Sequence, residues 1–264
     1  MLDIKKNQFM TKEEIRQAAS SVFTKEKGDK TSSHYKHIST EQIIDDMNAL
    51  GWGVVDAKQV RARKGVGFQK HLVVFGNPEI VINGNDGDTV FPRILLTNSH
   101  DGKNAFTFTA GLFRLVCENG LVISDENFAS LKIRHMGYDF EELQKTINTI
   151  VEKLPLTVEC MNRFKQTQLD EDKKQQFALA ALGLRFNTEN LTFNVEDILE
   201  PTRPEDKGND LWSIYNVVQE KLVHGMVNYQ NGNKNRKARR IKNFQQDIKL
   251  NSELYELAME YAVA

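Results

Sequence analysis

The sequence predicts an α+β fold, an antiparallel β-meander preceded by an amphipathic helix and followed by a C-terminal helical region. Apolar residues recur at helical spacing up to about residue 50, give way to short β-branched and aromatic runs as far as residue 137, and return to helical spacing from Tyr138 onward. The connections inside the strand-rich part are short and made of turn residues, which join antiparallel neighbours. Strands and helices are segregated along the chain rather than alternating, which argues against a parallel sheet of βαβ units.

Thr11 with Glu14 three residues on is a capping-box pattern ahead of Ile15, Ala18, Ala19 and Val22, so a short helix is expected within 11–23. The polar TKEKGDKTSSHYKH after it reads as a loop or mobile linker. In STEQIIDDMNALGW, Ser39 or Thr40 caps a helix that places Ile43, Ile44, Met47 and Leu50 on one face, and Gly51 stops it. GVVDAKQVRAR, GFQKHLVVFG, EIVIN, RILLTNSH, AFTFTA, LVIS and ASLKIRH read as strands parted by Gly-, Asn- and Asp-rich turns, while Gly111 to Cys117 fits either a strand or a helical turn. Helices follow in YDFEELQKTINTIVEKL, ending at Pro155, then LTVECMNRFKQTQL, DEDKKQQFALAALGLRF, NDLWSIYNVVQEKLVHGMV and, after a polar basic loop, NSELYELAMEYAV. The expected organisation is an N-terminal helix and polar linker over 1–38 and a single α+β domain over 39–264, strand-rich over 39–137 and helical over 138–264.

A chain of 264 residues is long enough to bury a large core. Its 35 basic and 36 acidic residues leave a net charge of −1, so only local charge patterning speaks of partners. Two cysteines, Cys117 and Cys160, exclude a disulfide framework and a four-cysteine zinc site. The N-terminus is charged throughout, and no segment has the length of a membrane span. The expectation is a cytoplasmic protein without a membrane partner.

Asn98-Ser99-His100-Asp101-Gly102 is the sharpest candidate for chemistry, since an imidazole beside a carboxylate serves as acid, base or metal ligand. The competing account is a turn at Asp101-Gly102 with Asn98 and Ser99 bonded to nearby backbone. It is preferred, because adjacent strand residues point to opposite faces. Cys117, His100 and His135 match no known metal-ligand spacing, and His34-Tyr35-Lys36-His37 lies in the polar linker, so no metal and no cofactor is assigned. Phosphate-binding glycine loops, a Gly-x-Ser-x-Gly elbow and a His-Glu-x-x-His helix are all missing from the sequence. No catalytic residue is therefore assigned beyond the candidates His100 and Asp101.

Charge clustering says more. Lys58, Arg61, Arg63, Lys64, Lys70 and His71 fall on one expected β-hairpin, which reads equally as a track for a phosphate backbone or as the solvated face of an edge strand. Lys234, Arg236, Lys237, Arg239, Arg240 and Lys242 lie within nine residues, flanked by Tyr229 and Phe244, whose rings could stack on bases. Such a run repels itself unless something anionic neutralises it, which favours nucleic acid over a solvated loop or pairing with acidic helices of the same chain.

The strings TNSHDGKNAFTFTAGLFRLVCENGLVI, IRHMG and LWSIYNVVQEKLVHG, with a basic segment and a final LYELAMEYA, resemble the phage and plasmid proteins grouped as domain of unknown function 932, over roughly residues 40–264. The resemblance implies a mobile-element origin and a role in the host cytoplasm, and it supplies no catalytic residues. The element order and basic hairpin are also similar to the core of the single-strand annealing proteins of recombination, which implies oligomeric rings holding DNA in a basic groove. The function expected is a nucleic-acid-binding protein of a bacteriophage or plasmid, binding or annealing single-stranded DNA in replication or recombination, with itself as a second partner. The alternatives are a protein-interaction module acting on a host defence factor and a metal-dependent nuclease.

Overall fold

The computed structural model describes residues 8–28, 31, 37–61, 67–83, 89–102, 106–114, 120–122, 131–133 and 139–263. His34, Arg63, Lys64, Cys117 and His135 lie outside them. Contacts divide the chain into two compact units, residues 2–154 and residues 155–264.

In the first unit, Thr11 and Glu14 form the expected capping box on α1 (Lys12–Ala18), which runs into a 3-10 turn over Ser20–Phe23. Ser39 caps α2 (Thr40–Ala49), and Gly51 beyond it takes φ 83°, a conformation that favours glycine. The meander follows as β1 (Gly53–Gln59), β2 (His71–Gly76), β3 (Ile82–Asn83), β4 (Thr89–Asn98), β5 (Phe106–Arg114), β6 (Gly120–Val122) and β7 (Leu131–Ile133), and each described pairing is antiparallel. Strands β2 and β3 follow one another along one edge of β4, and β6 and β7 along the outer edge of β5. Of the stretch that fitted strand or helical turn, Gly111–Arg114 continues β5.

Alternation along β2 and β4 puts Val73, Phe75, Ile94 and Leu96 on one face together with His71 and Asn98, all buried. The apolar members are core. The polar pair is where the helices attach. Ser99 N–H donates to Asn98 Oδ1 at 2.8 Å, which turns the amide nitrogen toward α2, where it donates to Thr40 Oγ1 at 2.9 Å. The Thr40 hydroxyl is then left to donate to His71 Nε2, also at 2.9 Å. Nδ1 carries the ring proton and faces the Gln69 carbonyl and Ser21 Oγ, both at 3.1 Å. One neutral imidazole thus ties the 3-10 turn, α2 and two strands together with no exposed polar atom. Described parts of the expected linker are anchored to the same corner, with Gly28 N–H bonded to the His100 carbonyl and the Thr24 hydroxyl to that of Gly67.

The helical region differs from expectation in two respects. A single helix, α3 (Phe140–Gln166), runs through Pro155 instead of ending there, and the boundary between the units falls at that residue. Next come α4 (Glu171–Arg185), β8 (Leu191–Phe193), α5 (Val195–Leu199), α6 (Leu211–His224), β9 (Asn228–Asn231), β10 (Lys234–Lys237) and α7 (Phe244–Val263). The basic segment expected as a loop is a β-hairpin, and β8 completes a three-stranded antiparallel sheet in the order β10-β9-β8. Every residue of α6 from Leu211 to Val223 is buried, including Glu220, which receives Arg203 at 2.6 Å and the Thr202 hydroxyl. A buried carboxylate persists only when paired in this way. Among the described residues, no helix is long and apolar enough to cross a membrane.

Burial pushes the His71 pKa from the ordinary 6.5 down to about 4. An unfolded chain accepts this proton near pH 6.5 while the fold resists it until about pH 4. The His71 contribution is therefore complete above pH 6.5 and is lost as pH falls between those values, by about 3 kcal/mol. Urea titrations at several pH values across this window check it. The wild type should lose that much more stability on acidification than His71→Gln, and equal pH slopes would contradict it.

Candidate functional site

His100 and Asp101 follow the end of β4. His100 is fully buried, with its ring 4.6 Å from that of His37 and 5.2 Å from that of His71, centroid to centroid. Asp101 accepts from Ser99 Oγ at 2.7 Å, and Gly102 takes φ 75° in the turn. The residue types of a nucleophile and base also meet at Ser21 and His71, but both are wholly buried, so no substrate reaches them. Among the described residues no group of three or more His, Cys, Asp and Glu is placed to hold a metal ion.

The structure separates the cations expected on the β1–β2 hairpin. Lys58 bonds Asp56 at 2.9 Å, Arg61 is exposed, and burial lowers the pKa of Lys70 against the attraction of Asp101. His71, counted among these cations in the sequence, is a neutral core residue.

The second basic segment is built differently, and its position starts from the end of α6. Gly225 caps that helix in the left-handed conformation, φ 73°, and its bare Cα is where the chain returns. A Cβ there would stand 2.5 Å from the Arg239 carbonyl carbon, 2.6 Å from Arg240 N and 2.8 Å from the Ala238 oxygen. Two backbone hydrogen bonds hold the returning strand, Ala238 N to Val227 O at 2.9 Å and Ile241 N to Val223 O at 3.0 Å. Gly232, φ 56°, makes the tight turn between β9 and β10. Lys234, Arg236 and Lys237 are therefore strand residues, and Arg239, Arg240 and Lys242 follow on a fixed backbone. All six are exposed.

Two concavities adjoin the segment. One, of about 750 Å³, includes Arg236 and Lys237 in its lining, with the amide and hydroxyl groups of Thr192, Gln230 and Asn235, which share a face by register. The opposite face carries Arg236 beside Tyr229 and Phe193; the two rings also line this concavity and form with Phe186 a half-buried aromatic cluster with centroids 5.3 to 5.9 Å apart. The second, about 410 Å³, gathers Arg239, Arg240 and Lys242 with Arg185 from α4 and Lys249 from α7. Its one acidic lining residue, Glu253, pairs with Lys249 at 3.5 Å. Burial lowers the Arg185 pKa, while its guanidinium lies 5.2 Å from the Phe186 ring and bonds the Arg239 carbonyl.

Arg185 and Lys249 were not singled out in the sequence, where each is an ordinary helical cation. Phe244, expected beside the basic run as a stacking ring, is instead buried as the first residue of α7. The hairpin did have a signal, Asn231-Gly232 between strand-length segments.

Gly225→Ala should displace the Arg239–Arg240 backbone and cost more than the ~1 kcal/mol that left-handed backbone alone imposes on alanine. Urea unfolding checks this, and a variant as stable as the wild type would contradict the close approach.

Two curated relatives from Escherichia coli (strain K12), UPF0380 protein YafZ and UPF0380 protein YfjQ, are each 30% identical to this chain over 258 residues, covering 97% of it and 92% of the relative. No solved structure matches it. The family model described as Domain of unknown function (DUF932) matches residues 29–255, from the polar stretch before α2 through the basic hairpin and into α7. With most of its length matched in this way, the chain belongs to the domain of unknown function 932 family.

Proposed function

We propose that this protein binds single-stranded nucleic acid through β10 and the segment that follows it. The observation that carries the reading is the state of the six cations Lys234, Arg236, Lys237, Arg239, Arg240 and Lys242. They are exposed and close together, and among the described residues none of them forms an ion pair. Pairing with acidic helices of the same chain would have discharged them, and a freely moving loop would have let them spread apart. Fixed on a strand and a pinned return, they keep their mutual repulsion, which a phosphate backbone relieves.

The surroundings favour an unpaired strand over a duplex. Arg239, Arg240, Lys242, Arg185 and Lys249 line a groove suited to phosphates, while the neighbouring concavity offers amide and hydroxyl groups of the kind that bond base edges. The half-exposed rings of Tyr229 and Phe193, which line that same concavity beside Arg236, are a stacking platform. The finer reading, action for a phage or plasmid on DNA undergoing replication or recombination, rests on the resemblance of the sequence and belongs to the same proposal.

Fluorescence anisotropy with a labelled oligo-dT tests it. For six neutralised phosphates, affinity should fall by a factor of about 10² to 10³ between roughly 50 and 200 mM salt. Replacing Arg239, Arg240 and Lys242 together by Ala should reduce the slope of log affinity against log salt by about two. No binding of the wild type at about 50 mM salt, or a slope unchanged in the triple variant, would overturn the assignment. Retention of one host protein after nuclease treatment, with no oligonucleotide binding, would favour the protein-interaction module instead.

A further inference from the structure

A charged side chain in the other unit, in the middle of β4, has surroundings that do not account for it. Arg93 is 4% exposed. Its register partners are Gly76 on β2 and Gly111 on β5, and Gly76 in turn faces Gly53 on β1. Across four strands the row reads Gly53, Gly76, Arg93, Gly111, so Arg93 carries the one side chain of the row. Nη1 stands 2.6 Å from where a Cβ on Gly76 would be and donates to the Pro92 carbonyl at 3.3 Å. The Phe91 ring lies 5.4 Å from the guanidinium carbon, and the Phe9 ring covers the Cα of Gly53. Nη2 is buried without a hydrogen-bond partner, and among the described residues no carboxylate pairs with Arg93.

A guanidinium held from water normally has a carboxylate against its fork, because an unpaired buried charge is costly. Burial lowers the Arg93 pKa only to about 10, so the group remains charged at neutral pH. Neighbouring backbone donors and acceptors in the sheet are engaged in the ladders, and the glycines bring no side chain. Among the described residues, then, none supplies the missing anion. We infer that Arg93 and its glycine row form an oxyanion-binding site that takes a phosphate or carboxylate group on the Nη1–Nη2 edge of the guanidinium. The site stands on residues of unit 2–154 alone and does not depend on the nucleic-acid reading.

Thermal unfolding of the full chain tests it, with inorganic phosphate or acetate added against sodium chloride of matched ionic strength. A saturable rise in Tm of about 4 °C is expected at ligand concentrations some tenfold above Kd. A larger rise with phosphate assigns a phosphate group, and a larger rise with acetate a carboxylate. Arg93→Met should unfold at a higher temperature than the wild type in chloride and, combined with Arg239→Ala/Arg240→Ala, show no rise with either anion. Arg93→Lys keeps the charge without the fork and should need several-fold more anion for half the effect, which covers the case where Arg93→Met does not fold. Arg239→Ala/Arg240→Ala alone, which weakens the separate basic groove, should retain the part of the rise that depends on Arg93. No rise beyond matched chloride, no rise in Arg239→Ala/Arg240→Ala, or a rise in Arg239→Ala/Arg240→Ala that adding Arg93→Met does not abolish would overturn the assignment.

Discussion

The proposed working surface depends on how one buried helix ends. α6 is enclosed on every side, so its polar residues must find partners within the protein, and its chain must leave through a gap too narrow for a side chain. Gly225 meets that constraint. Left-handed backbone turns the chain, and the absent Cβ leaves room for Arg239 and Arg240 to pass back over the helix end. The hairpin between those contacts is short, held at one end by Gly225 and at the other by the turn at Gly232. A run of cations that would be mobile in a longer connection is thereby given a fixed backbone. The Arg185–Phe186 corner of α4 packs against the same segment and adds a cation to the groove.

The two basic regions show why cation density alone is a poor guide to function. On the β1–β2 hairpin, Lys58 is neutralised by Asp56, Lys70 is partly withdrawn from solvent near Asp101, and His71 is an uncharged bridge at the centre of the unit. On β10 and its return, each described cation is exposed and none has an acidic partner. Charge that is compensated within the fold supports structure. Charge left uncompensated in a rigid arrangement is available to a ligand. Arg93 is a buried instance of the same distinction, a fixed guanidinium to which no described residue brings a counter-charge.

Much of the fold is legible in the sequence because its signals are local. The capping box at Thr11, the Ser39 cap and the strand alternation each depend on a few neighbouring residues, and each appears where its pattern falls. The misreadings are of another kind. Pro155 usually ends a helix, yet α3 continues through it, so a local preference yields to context. The hairpin at Asn231-Gly232 was obscured by its own composition, since Asn, Lys and Arg resemble a solvated loop and have weak strand propensity. His71 and Phe244 sit beside cations in sequence but point into the core, a matter of tertiary packing. Arg185 and Lys249 join the basic groove from helices distant in sequence, which no spacing rule reveals.

The central claim is that nucleic acid lies along β10 and the segment returning over α6. Photocrosslinking of the intact protein to an oligonucleotide carrying 4-thiothymidine, followed by peptide mass spectrometry, tests the location directly. Crosslinks should fall on the aromatic and basic residues of the small sheet and its groove, Phe193, Tyr229 and the stretch from Lys234 to Lys242. Crosslinks concentrated on the β1–β2 hairpin, or a uniform low yield along the chain, would contradict it.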